Sequence, residues 1–109
     1  MAETYKVLAQ ISPSATTLTD FYTVPALTST VCSTLTVCNR GPGAATYRIS
    51  IAIAGAADNV KQYLAYDLTI NVNATQAWTI GATLATTDVI RVYSTTSNLS
   101  FNLFGAQKT

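Results

Sequence analysis

Ala45-Thr46-Tyr47-Arg48-Ile49-Ser50-Ile51-Ala52-Ile53-Ala54 carries a strict period of two. Tyr47, Ile49, Ile51 and Ile53 fall on one side of an extended chain, and Arg48, Ser50, Ala52 and Ala54 fall on the other. Successive side chains of a strand point to opposite faces, so this stretch predicts a half-buried strand with its β-branched residues toward a core. Arg40-Gly41-Pro42-Gly43 precedes it as a turn. Before that turn, Thr30 to Asn39 reads as a long strand with Val31, Leu35 and Val37 on one face and Cys32, Thr34, Thr36 and Cys38 on the other.

The same rhythm extends to both ends. Tyr5 to Ile11 alternates, with Tyr5, Val7, Ala9 and Ile11 on one face and Lys6, Leu8 and Gln10 on the other, until Ser12-Pro13-Ser14 stops it. Thr17 to Val24 is a second run, closed by Pro25, which cannot donate to a central ladder. Downstream, Gly55 to Asn59 is a loop, and a helical turn within Ala57 to Leu64 is the nearest approach to helix. Tyr63 to Ile70 aligns Leu64, Tyr66, Leu68 and Ile70 as a fifth strand. Thr75 to Ile80 is a sixth, with Trp78 in phase with Ile80 and expected in the core or at a subunit contact. Asp88 to Ser94 and Leu99 to Phe104 are the last two, and the short link between them predicts a hairpin. About eight strands without a substantial helix predict an all-β, antiparallel sandwich of jelly-roll type. The expected organisation is one domain over 1–109 with short flexible ends, Met1 to Thr4 and Ala106 to Thr109. An immunoglobulin-like sandwich is not supported, because no Cys–Trp–Cys spacing occurs.

The composition is unusual in one respect. Of 109 residues, 49% are hydrophobic but only 10% are charged, against about 25% in an average domain. Threonine is the commonest residue, with 19 copies. Hydroxyls can keep a sheet face wet without charge, and they cost far less than ions to desolvate when another protein covers that face. The net charge of +1 offers no basic patch for nucleic acid. No apolar run is long enough to span a membrane. The N-terminal residues lack the pattern of a secretion signal, so synthesis in a cytoplasm is expected and the sequons at Asn73 and Asn98 are read as chance. Cys32 and Cys38 are expected on one face of one strand, roughly 20 Å apart, too far for a disulfide and both serving as small buried hydrophobes.

Chemistry is sparse. The sequence contains no histidine, which removes the commonest general base and metal ligand. Glu3, Asp20, Asp58, Asp67 and Asp88 are scattered one per segment, and the glycine turn lacks the Lys-Ser/Thr of a phosphate loop. Neither a catalytic set, a metal site nor a cofactor is therefore expected. Exposed aromatics could serve a carbohydrate-binding module, and Tyr93, sharing a face with Arg91 and Val89, is the better candidate for one.

Four stretches carry a resemblance: Tyr5-Lys6-Val7-Leu8-Ala9-Gln10; Thr17-Leu18-Thr19-Asp20-Phe21-Tyr22-Thr23-Val24-Pro25-Ala26; Val37-Cys38-Asn39-Arg40; and Asp88-Val89-Ile90-Arg91-Val92-Tyr93 followed by Leu99-Ser100-Phe101-Asn102-Leu103-Phe104-Gly105. Together they resemble small virion structural proteins of tailed bacteriophages, including phages of cyanobacteria. The resemblance implies a capsid decoration or cement protein, or else a small tail, baseplate or fibre component. It implies the major capsid protein or another virion protein as partner, a homo-oligomer (a trimer favoured), location in the virion and assembly in the host cytoplasm. The chain departs from the group at Ala26-Leu27-Thr28, which singles out Leu27 as a contact residue. Leu27, Arg48, Arg91 and Tyr93 are the expected interface residues.

Overall fold

Tyr47 and Ile49 point into a core between two antiparallel sheets. The computed structural model describes residues 2–109. Its strands are β1 (Glu3–Ile11), β2 (Thr19–Thr23), β3 (Ser29–Asn39), β4 (Ala45–Ala52), β5 (Tyr63–Ile70), β6 (Thr75–Trp78), β7 (Ala82–Leu84), β8 (Val89–Ser94) and β9 (Leu99–Lys108). Short 3-10 turns at Ile53–Gly55 and Val60–Gln62 are the helical elements among the described residues. One sheet runs β1-β9-β3-β6, with β7 also on β3; the other runs β2-β8-β4-β5.

The pairings are nested. β1 pairs β9, β2 pairs β8, β3 pairs β6 and β7, and β4 pairs β5. A long antiparallel ribbon folded over on itself gives this order, and β3·β9 and β4·β8 then close it into two sheets. That is the jelly roll. The extra strand comes from a break at 79–81, with Gly81 at positive φ, which divides β6 from β7. The core is filled by Tyr47, Ile49, Ile70, Ile90 and Val92 from one sheet and Leu35, Val37, Leu99, Phe101 and Leu103 from the other. Phe101 meets Phe21 and Tyr47 in T-shaped contacts at ring-centre distances of 6.2 and 6.1 Å.

Three bulges correct the expected faces. Leu8 is an extra residue in β1 and Ser33 an extra residue in β3. One inserted residue turns everything beyond it to the opposite face. Ala9 and Ile11 therefore pack against the core, whereas Tyr5 and Val7, expected beside them, face solvent. Leu35 and Val37 are buried, whereas Val31 faces out. The two cysteines are free and lie on opposite faces: Cys32 is buried and Cys38 is half-buried. In β5 the register slips between Leu68 and Ala65, where Asp67 has positive φ, so Ile70 and Ala65 turn inward and Leu64 and Tyr66 outward.

Other expectations fail at the strand ends. Ile53 does not continue β4; it enters a 3-10 turn and is largely exposed. β8 and β9 do not form a hairpin but lie in different sheets. The buried Ser94 donates through Oγ to Thr96 O and accepts from Thr96 N, while Thr95 N–H goes to Thr46 O, so the link arches across the sandwich. Residues 106–108, read as a free tail, complete β9, with Glu3 opposite Lys108 and Thr109 N donating to Ala2 O. Met1 lies outside the described residues.

Candidate functional site

The five acids each hold a local partner. Asp20 accepts from Arg91, Asp58 from Tyr63 and Asp67 from Arg48. Asp88 accepts from the backbone N–H groups of Ala54 and Ala85, tying together the loops at one end. Glu3 accepts from Tyr5 and faces Lys108. Among the described residues, no group of three or more His, Cys, Asp or Glu side chains could hold a metal ion. The features that can act on another molecule are the two outward sheet faces.

The outer face of the β2-β8-β4-β5 sheet holds three of the expected interface residues. Arg48 stands opposite Tyr93 across the β4·β8 ladder. Its guanidinium lies 4.2 Å from the ring centre of Tyr66 and 4.4 Å from that of Tyr93. It also donates to both carboxylate oxygens of Asp67, and that hydrogen bond, the largest cause, holds its pKa above the usual arginine value. Two tyrosines and a cation thus fill one another, leaving no open aromatic slot for a sugar ring between Tyr66 and Tyr93. Arg91 is a staple: Nε donates to Asp20, Nη1 to Ala56 O at 2.8 Å and Nη2 to Gly55 O at 3.2 Å. Its side chain is 14% exposed, which leaves little of it for a partner. The fourth expected residue, Leu27, is 91% exposed at positive φ in the β2–β3 turn, apart from the other three.

The outer face of the β1-β9-β3 sheet is the stronger surface, and sequence reasoning did not single it out. Residues opposite one another on antiparallel strands point the same way. The outward rungs are Glu3–Lys108–Ser29, Tyr5–Ala106–Val31, Val7–Phe104–Thr34, then Gln10–Asn102–Thr36, with Ser100–Cys38 last. β6 and β7 extend the face with Thr75, Ala77 and Thr83. Of these side chains only Glu3 and Lys108 are charged, and they meet each other at 3.6 Å on the end rung. Tyr5 is 79% exposed, Val7 47% and Val31 38%. Beside them lies an open groove of about 390 Å³ whose floor includes Val31, Phe104 and Ala106. The bulges at Leu8 and Ser33 create this patch by turning outward residues that strict alternation would send inward. A sequence signal exists for each: Val7-Leu8-Ala9 and Val31-Cys32 put apolar residues at consecutive positions, where a simple alternating strand would not.

No family model matches the chain, and no curated protein matches it. Among solved structures, a chain from the structure of infectious bursal disease virus, Gx strain, superposes with a TM-score of 0.51 at 9% identity, over 97% of this chain and 32% of that one. The likeness is one of fold. This chain spans about a third of the virus chain's length. A pentameric capsid protein isolated from metagenomic phage sequences aligns with 97% of this chain and 65% of its own, at 14% identity and a TM-score of 0.36.

Proposed function

We propose that this chain is a structural subunit of a virus particle: a bacteriophage capsid decoration or cement protein that bridges and stabilises major capsid subunits. The observation that carries the reading is the outer face of the β1-β9-β3 sheet, which joins an apolar centre to hydroxyl and amide side chains, with its charge confined to the Glu3–Lys108 rung and to Lys6 at the edge of the groove. An interface core is depleted of charge and enriched in aromatic residues, whereas a face built only for water has no use for exposed Tyr5, Val7 and Val31. The jelly roll recurs in viral shells, which supports the reading by analogy of fold. The partner on this reading is the major capsid protein, and the chain acts as one domain in the virion after assembly in the host cytoplasm. Bridging identical neighbours requires symmetry, so the proposed state is a homo-oligomer, with a trimer at local three-fold points. No chemical step is assigned to it; each added contact must be broken before shell subunits part, at about 25 cal/mol per Å² of apolar area.

Quantitative mass spectrometry of purified virions tests this. Copy numbers comparable with those of the major capsid protein, together with lowered heat resistance of particles lacking the chain, are expected. A few copies per particle, with antibody label at the tail, would replace the reading with a tail, baseplate or fibre adaptor. Glycan-array binding abolished by Tyr93→Ala would replace it with a carbohydrate-binding module.

A further inference from the structure

We propose that the outer face of the β1-β9-β3 sheet binds a second copy of this chain, with Tyr5 of each copy seated in the groove over Val31, Phe104 and Ala106 of the other. The proposal rests on the reading of this face as a protein interface and names its occupant; the test uses the protein alone, so the two-fold contact can fail while the virion reading stands, and the reverse.

Three observations favour a second copy as the occupant. The first is shape. A two-fold contact uses the same patch twice, so that patch must contain both a projection and the depression that receives it. Tyr5 projects with 79% of its surface exposed, and the groove lies directly beside it on the same face. Its hydroxyl is already held by Glu3 at 2.9 Å, which restrains the ring before docking. A tyrosine offers large area with few rotors to freeze, so such a contact loses little entropy.

The second observation is charge. The charged groups around the groove are Glu3, Lys6 and Lys108, which include both signs. An isologous pairing can set the Glu3 of each copy toward a lysine of the other, whereas a rim of one sign would repel its own copy.

The third is area. The three strands and the β6/β7 strip beside β3, at about 4.8 Å spacing and about 30 Å length, give a face of about 570 Å². Two copies would cover about 1,100 Å², near the ~1,000 Å² expected of a specific contact. The face is therefore large enough for a reversible pair without help from other surfaces. The bulges give it a further reason to exist. Leu8 and Ser33 place apolar side chains outward at the cost of irregular ladders, and a solvated face would gain nothing from that arrangement.

Native mass spectrometry and sedimentation of the purified chain at about 50 µM test the proposal. An even-numbered assembly is expected: a dimer, or a hexamer if the two-fold contact also joins the proposed trimers. Val31→Asp should reduce it to half its mass, and Tyr5→Ala should raise its dissociation constant at least about tenfold. Both residues face outward, and circular dichroism of each variant checks that the fold is kept. Tyr66→Ala, on the other sheet, should leave the assembly unchanged. A monomer or an isolated trimer at that concentration overturns the proposal, as does an even-numbered assembly that folded Val31→Asp and Tyr5→Ala leave intact.

Discussion

Tyr47 shows how one side chain can lock two sheets. It belongs to β4, yet its hydroxyl donates to Gln76 Oε1 and accepts from Trp78 Nε1 at 2.9 Å, both on β6 of the opposite sheet. Its ring is fully buried. Tyr47→Phe keeps the packing but leaves the indole N–H without its partner, and is expected to lower stability by about 1–2 kcal/mol in urea unfolding. Burial raises the Tyr47 phenol above its ordinary pKa, partly offset by the donation from Trp78. Burial also pushes the Cys32 thiol up to about 11. In both groups the fold favours the neutral form, so the associated stability is present below the unfolded value and is lost as pH rises through the folded one. The thermal midpoint should therefore fall between about pH 9 and 11, with a shallower fall in Cys32→Ala. At pH 8 an alkylating reagent should label Cys38 and spare Cys32 until the chain unfolds, as mass spectrometry of the digest will show. A slope unchanged by Cys32→Ala would rule out the thiol as its source.

At the scale of elements, bulges decide which face a residue occupies. Deleting Ser33 brings the inward residues before it, Thr30 and Cys32, and those after it, Leu35 and Val37, into one regular alternation. Both halves then keep their buried sets, and the cost is expected to stay within about 1–2 kcal/mol, from the lost bonds of Ser33 Oγ to Phe104 O and of Ile80 N to Ser33 O; a variant that no longer folds would refute the register. Arg91→Ala should free the 53–62 segment from β8, costing about 1–2 kcal/mol and speeding proteolytic nicking there. The strands were legible in the sequence because period-two patterning and Gly/Pro turns survive in almost every segment. Their phase was less legible, because a bulge leaves composition untouched while reversing a face. Simple alternation accordingly puts Tyr5 on one face with Ile11, Val31 with Leu35, and Tyr66 with Ile70, pairs that the structure separates. The β8–β9 link was misread because a short polar segment can close a hairpin or arch between sheets. Here the choice rests on Ser94 and on Thr46, a residue distant in sequence. Of the expected interface residues, Arg48 and Tyr93 could be found from their outward phase, whereas the bonds of Arg91 to Gly55 and Ala56 come from tertiary structure alone.

The whole molecule has two unlike broad sides. One is sealed by its own interactions: Arg48 between two tyrosines, Arg91 clamping a loop, and Ser50 Oγ buried without a partner on the same rung as Arg91. The other presents an apolar groove with Glu3, Lys6 and Lys108 at its rim and uncharged polar side chains beyond it. The position of Ala2 beside Thr109, joined by a backbone hydrogen bond, has a practical consequence. Both described ends open at the Glu3–Lys108 rung, on the rim of the groove. A bulky fluorescent domain fused at either end should therefore weaken self-association measured by sedimentation. The same domain inserted between Pro42 and Gly43, a turn at the opposite end where Gly43 has open space around it, should leave that association intact. A circular permutant cut in that turn, with a short linker joining the old ends, would turn the molecule into a carrier whose cargo points away from its own docking face.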